Sequence, residues 1–133
     1  MSETELKGLR VLVIDDNVDT AEAIALLLAD AGAETSVATD ATDVAARVLA
    51  FDPGMVLLDL SLPTVDGYEG CRAIRALEGL QPYIVAVTGW DGAEHVWRCR
   101  QAGFDLHLTK PVAAELLVEH AHLALRRSAQ RQG

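Results

Sequence analysis

A chain of 133 residues, half of them hydrophobic, has the size of one ordinary domain and enough apolar material for a continuous core. Its formal charge of −9 at pH 7 and pI near 4.7 create a field that repels nucleic-acid phosphates and anionic lipid and favours cations or basic partner surfaces. No apolar run approaches the ~20 residues of a membrane helix, MSETELKGLR lacks the apolar centre of a signal peptide, and Cys71 and Cys99 lie far apart without metal-ligand spacing. The expected setting is a reducing cytoplasm, with neither direct nucleic-acid binding nor membrane association.

In chain order, Val11 to Ile14 forms the first short apolar run, read as a strand. A helix follows, with Ala21, Ile24, Leu28 and Ala31 at three- and four-residue steps, Asn17 or Asp19 as candidate cap, and Gly32 as its stop. Thr35 to Ala38 is the second strand and Val44, Val48 and Leu49 mark the second helix. Met55 to Leu58 is the third strand, with Ile74 and Leu77 on the helix after it. Tyr83 to Val87 and Leu106 to Leu108 complete the strands; Val96, Cys99 and Ala102 mark the helix between them, ended by Gly103, and Leu116, Leu117 and Leu123 the last helix. The polar RRSAQRQG reads as a tail that frays. The expected division is a lead-in over 1–9, one domain over 10–127 and a tail over 128–133.

Strands without polar alternation, joined by helices, imply a parallel sheet covered on both faces, with right-handed crossovers: a doubly wound α/β sandwich. Ligands of such sheets gather beyond the carboxyl ends of the strands. There the sequence places Asp15 and Asp16 after the first strand, Asp59 after the third, Thr88 and Gly89 after the fourth, and Thr109, Lys110 and Pro111 after the fifth. In MVLLDLSLPTVDG an apparently buried strand ends on an acid, which needs water, a cation or a chemical role to remain ionised. Converging carboxylates on an acidic rim suit a hydrated divalent cation such as Mg²⁺ or Mn²⁺, beside which Asp59 stays ionised and nucleophilic.

VLVIDDN, LLDLSLPTVDG, VTG and LTKPV, in this order and on these strand ends, resemble the response-regulator receiver domain, the phosphoacceptor half of two-component signalling. The resemblance covers nearly the whole chain. It implies the flavodoxin-like (βα)5 fold with strand order 2-1-3-4-5 and a cis bond before Pro111. It further implies Asp59 as the site of phosphorylation by a sensor histidine kinase or phosphotransfer protein. Asp16, Asp59 and the Ser61 main-chain carbonyl would hold Mg²⁺, and Asp15 would act through a bound water. Lys110, the Thr88 hydroxyl and the Gly89 amide would hold phosphoryl oxygens, with Thr88 also a switch residue. Such a domain catalyses its own phosphorylation and dephosphorylation without being a turnover enzyme, and its output is a protein target on the face of helix four, strand five and helix five. His107 departs from the commoner Tyr or Phe switch residue, a feature shared with receivers resembling those of hybrid kinases; it is expected to point toward helix four.

Other conspicuous residues have plainer readings. Asp66 reads as a cap for the third helix, His95 as solvent-facing, and His120 and His122 as pointing to different helix faces. Cys71 and Cys99 read as small helix-face hydrophobes, Trp97 as a cover for the core edge, and Trp90 as overhanging the pocket. Competing functions are an aspartate-nucleophile hydrolase, disfavoured by short loops that leave no substrate cap, a flavin or nucleotide carrier, disfavoured by the absence of a Gly-rich phosphate loop, and a receiver scaffold that is not phosphorylated.

Overall fold

The computed structural model describes residues 5–60, 62, 66–79, 81–89 and 93–132, with only the backbone given for residues 93, 131 and 132. Five strands, β1 (Arg10–Ile14), β2 (Glu34–Ala38), β3 (Met55–Asp59), β4 (Tyr83–Thr88) and β5 (Leu106–Thr109), pair in parallel in the order β2-β1-β3-β4-β5. They alternate with α1 (Val18–Asp30), α2 (Val44–Phe51), α3 (Gly67–Arg75), α4 (Ala93–Ala102) and α5 (Ala114–Gln132). This is the expected doubly wound sheet, and each expected strand is present to within one residue at either end.

The two-residue period of the strands divides the core. Leu12, Ile14, Val56, Leu58, Ile84 and Ala86 point to one side with Val44, Val48, Cys71, Ile74 and Cys99, the side of α2, α3 and α4. Val11, Val13, Met55, Leu57, Val85 and Val87 point to the other with Ala21, Leu28, Leu117 and Ala121, the side of α1 and α5. The three central strands β1, β3 and β4 are therefore dry on both faces, and in them polar side chains enter only at strand ends.

Local chemistry sets the helix boundaries. The Asn17 side chain accepts from the Thr20 N–H to cap α1, and Asp66 accepts from the Glu69 N–H at 2.8 Å to cap α3. Gly32 and Gly103, at φ +108° and +106°, occupy the left-handed region just past α1 and α4, where glycine bears no Cβ penalty.

Several expectations about helix faces need correction. Trp97 does not cover the core edge: it is 62% exposed, because Cys99 and Ala102 define the buried stripe of α4 and two residues from Cys99 is about 200° of rotation. Leu49 and Leu116 are likewise exposed; α5 buries Leu117, Val118, Ala121 and Ala124 instead. α5 runs to Gln132, through the stretch read as a polar tail. Arg127 holds it by lying 5.0 Å over the Tyr83 ring, and the Ser128 hydroxyl sits where a Cβ on Gly54 would meet it at 2.6 Å. Ahead of β1, Leu6 and Leu9 are core residues, and the Leu6 N–H donates to the Ala31 carbonyl at 2.7 Å.

Candidate functional site

The parallel register brings Asp15, Asp59, Thr88 and Lys110 to one edge of the sheet. β3 and β4 align Asp59 with Val87, β4 and β5 align Thr88 with Thr109, and the Lys110 N–H donates to the Thr88 carbonyl at 2.7 Å. The Lys110–Pro111 peptide is cis. Asp15, Asp59 and Thr88 are the buried polar side chains among the described residues, at 3%, 4% and 0% exposure, in an otherwise apolar interior. Such groups require partners.

For the two acids those partners are charged. The Lys110 ammonium donates to Asp15 Oδ2 at 2.9 Å and to Asp59 Oδ2 at 3.3 Å. Burial pulls the Lys110 pKa down, but the hydrogen bond to Asp15 and the charges of Asp59 and Asp15 outweigh it, so the net shift is upward and the ammonium stays protonated. Asp15 is held on its other oxygen by the Asn17 N–H at 2.9 Å. Asp15, Asp16 and Asp59 each bring one carboxylate oxygen to within 4.8 Å of the others, with Asp16 exposed and the other two buried. Hard oxygen donors at this spacing match what a small divalent cation takes, and one lysine leaves the three-acid cluster under-neutralised. The donor set therefore fits Mg²⁺.

Gly67 supplies a close approach that sequence reasoning did not weigh. A Cβ there would lie 2.5 Å from the Asp59 carbonyl oxygen and 2.7 Å from Leu60 Cα, so only glycine lets α3 begin directly behind the acid. The pair Asp66–Gly67 carried the signal: a cap followed by a residue without a side chain. The Asn17 amide was also missed as a support for Asp15, although an Asp whose side chain binds the N–H two residues on is a recognisable local turn. At Gly89 an added Cβ would meet none of the described atoms within 4 Å.

Of the other candidates, His107 lies on the α4 side of β5, where it lines a cleft with Val96, Cys99 and Arg100. Leu108 packs on the opposite side of the sheet with Leu117. His95 is not solvent-facing as expected; it is half-buried, with Nδ1 3.5 Å from the Tyr68 hydroxyl. His120 and His122 diverge, the first stacking on Tyr83 and the second pairing with Glu5. Cys71 and Cys99 are buried free thiols, and burial pushes Cys71 up to about 12. The Ser61 carbonyl, Pro63 and Trp90 lie outside the described residues.

The sequence matches the family of the response regulator receiver domain over residues 11–122. The chain belongs to that family. It is 34% identical over 119 residues to the DNA-binding response regulator MtrA of Mycolicibacterium paratuberculosis, covering 90% of this chain and 52% of that protein. It thus spans about half the length of that relative. It is 29% identical to protein PilG of Pseudomonas aeruginosa over 87% of each chain. A CheY-like response regulator receiver domain protein from Methanospirillum hungatei superposes with a TM-score of 0.82 at 25% identity, over 94% of this chain and 98% of that one. The chain is therefore a receiver domain of two-component signalling; as a family, receiver domains interact with histidine kinases or phosphotransfer proteins and bind Mg²⁺ at their acidic pocket. No helix among the described residues is long and apolar enough to cross a membrane.

Proposed function

We propose that Asp59 is the phosphoacceptor and that this receiver uses its phosphorylation to switch a protein-binding face. One observation carries the reading: a half-buried lysine bridges the buried Asp59 to the buried Asp15 at the carboxyl edge of the sheet, with Asp16 completing a carboxylate cluster. An oxygen of Asp59 attacks the phosphorus of a kinase phosphohistidine; the O–P bond forms as the P–N bond breaks, and the electron pair leaves on the imidazole nitrogen. Lys110, held protonated by both acids, neutralises charge on the transferring oxygens. The Thr88 hydroxyl and the Gly89 amide bind the oxygens that remain. Asp16, Asp59 and the Ser61 carbonyl would hold Mg²⁺, with Asp15 acting through water, and the bound ion supplies charge neutralisation at the phosphoryl group. Trp90, two residues past Thr88, restricts the approach of hydrolytic water.

Phosphoryl transfer adds a charge of roughly −1.5 to −2 at a site already short of cations, which draws Thr88 inward and biases α4, β5 and α5. Exposed Val96, Trp97 and Leu116 give that face apolar contact surface for a downstream target. His107, lining the α4–β5 cleft, follows the movement of Thr88. The domain is a switch rather than a turnover enzyme. Incubation with acetyl phosphate and Mg²⁺ should yield one hydroxylamine-labile phosphoryl group, mapped by mass spectrometry to Asp59 and lost in Asp59→Asn. An adduct mapped to any other residue, or continuous turnover of small phosphoesters, would exclude the assignment.

A further inference from the structure

We propose that Tyr68 is a positioning residue coupling the occupancy of Asp59 to the setting of α4, through a hydroxyl that re-aims between His95 and Cys99. The inference rests on Asp59 as phosphoacceptor and adds a route from it to α4 that does not pass through Thr88 or His107.

Tyr68 is the second residue of α3, and the first, Gly67, is pressed against the Asp59 carbonyl with its own N–H donating to the Leu60 carbonyl at 3.2 Å. The start of α3 therefore moves with the end of β3. From there the Tyr68 side chain, almost wholly buried, crosses to α4 and meets three of its residues. The Arg98 guanidinium lies 4.2 Å over the ring centroid, the hydroxyl stands 3.5 Å from His95 Nδ1, and the Cys99 thiol lies within reach of the same hydroxyl. Phe104, just past α4, meets the ring edge-on at 6.4 Å.

The hydroxyl has two hydrogen-bonding partners on α4, neither strong: one contact is long and the other is to sulfur. His95 and Cys99 are four residues apart, hence on one helix face and about 6 Å apart along the axis. Because the hydroxyl already stands near both side chains, a small shift of α4 along α3 trades one partner for the other at little energetic cost. The Arg98 contact over the ring face keeps the two helices engaged throughout. Two settings of similar energy are what a perturbation at one site needs in order to be read at another. Ring packing alone would have been served by phenylalanine.

The test uses beryllofluoride with Mg²⁺ as the phosphoryl mimic. Binding is followed by fluorine NMR, and hydrogen exchange is read on peptides spanning 83–89 and 93–102. In the wild type, beryllofluoride should change exchange across α4 by about five-fold or more, the lower end of ordinary allosteric coupling. In Tyr68→Phe it should bind with affinity within two-fold of wild type and still alter the 83–89 peptide, while the α4 response falls below about two-fold. His95→Ala, at a half-buried position, should give an intermediate response. Full α4 response in Tyr68→Phe and His95→Ala, or none in the wild type with beryllofluoride bound, overturns the proposal. Failure of the wild type to bind beryllofluoride, or equal binding by Asp59→Asn, instead overturns the phosphoacceptor assignment, and this inference with it.

Discussion

The two edges of the sheet handle charge in opposite ways. At the amino edge, ahead of β5, Asp105 receives the Ile84 N–H and the Arg75 guanidinium, both at 2.8 Å, with Arg127 at 3.6 Å. Arg75 also donates to the carbonyls of Gly103 and Pro82 and to the Gln81 side chain. One acid thus has two arginines, and α3, β4, β5 and α5 are tied together through them. At the carboxyl edge three acids crowd around one lysine. The first arrangement is saturated in charge and ties the elements together; the second is left short of positive charge, which makes it receptive to a cation. The under-neutralised edge is the one at which we propose that phosphoryl transfer occurs.

The largest effect should come from breaking the saturated edge. Arg75→Ala strands Asp105 and several carbonyls, and should lower unfolding free energy by about 2–3 kcal/mol in urea denaturation. Arg75→Lys should recover only part, because a point charge cannot reach four acceptors at once. A loss under about 0.5 kcal/mol would show that Arg127 alone suffices, erasing the contrast between the edges.

Next, Mg²⁺ should stabilise the carboxyl edge by mass action, by about 2.7 kcal/mol at a hundred times its dissociation constant. A chelator should reverse the gain and Asp16→Ala should abolish most of it, since Asp16 is exposed and its replacement disturbs little packing. Flat melting curves across a Mg²⁺ titration would remove the cation from the comparison.

Smaller and opposite in sign to Arg75→Ala, Asp59→Asn should leave the metal-free protein within about 1 kcal/mol of wild type, on the stabilising side. Repulsion among the three carboxylates falls while Lys110 keeps Asp15. Marked destabilisation would mean that the Lys110–Asp59 contact outweighs the repulsion.

Finally, Cys71 lies between the edges, in the core, and burial raises its thiol from 9.0 to about 12. Between those values the unfolded chain loses the proton while the folded one keeps it. Its contribution is therefore complete below pH 9 and falls as pH rises toward 12, with a slope of at most about 1.4 kcal/mol per pH unit. Cys71→Ala should lack that component of the alkaline slope whatever its baseline stability. Equal slopes in urea melts from pH 8 to 11 would contradict the shift.

The sequence alone determined what depends on neighbours along the chain. Apolar runs too short for helices became strands, glycines at positive φ ended α1 and α4, Asp66 capped α3, and placing the acids and Lys110 after strands put them at one edge once the sheet was parallel. The motifs went further than periodicity, since the strand order came with the family resemblance and not with the apolar pattern. What hung on facing residues far apart in sequence was decided only by tertiary structure. Trp97 is exposed because Cys99 and Ala102 took the inward positions of α4, α5 persists because Tyr83 and Gly54 receive Arg127 and Ser128, and His95 is half-buried because Tyr68 reaches it from α3. The tight contact of Gly67 with Asp59 and the two-arginine hold on Asp105 likewise join partners from separate elements. A burial period marks one face of a helix but does not say what will pack against it, and a charge in a loop does not reveal which distant charge it will meet.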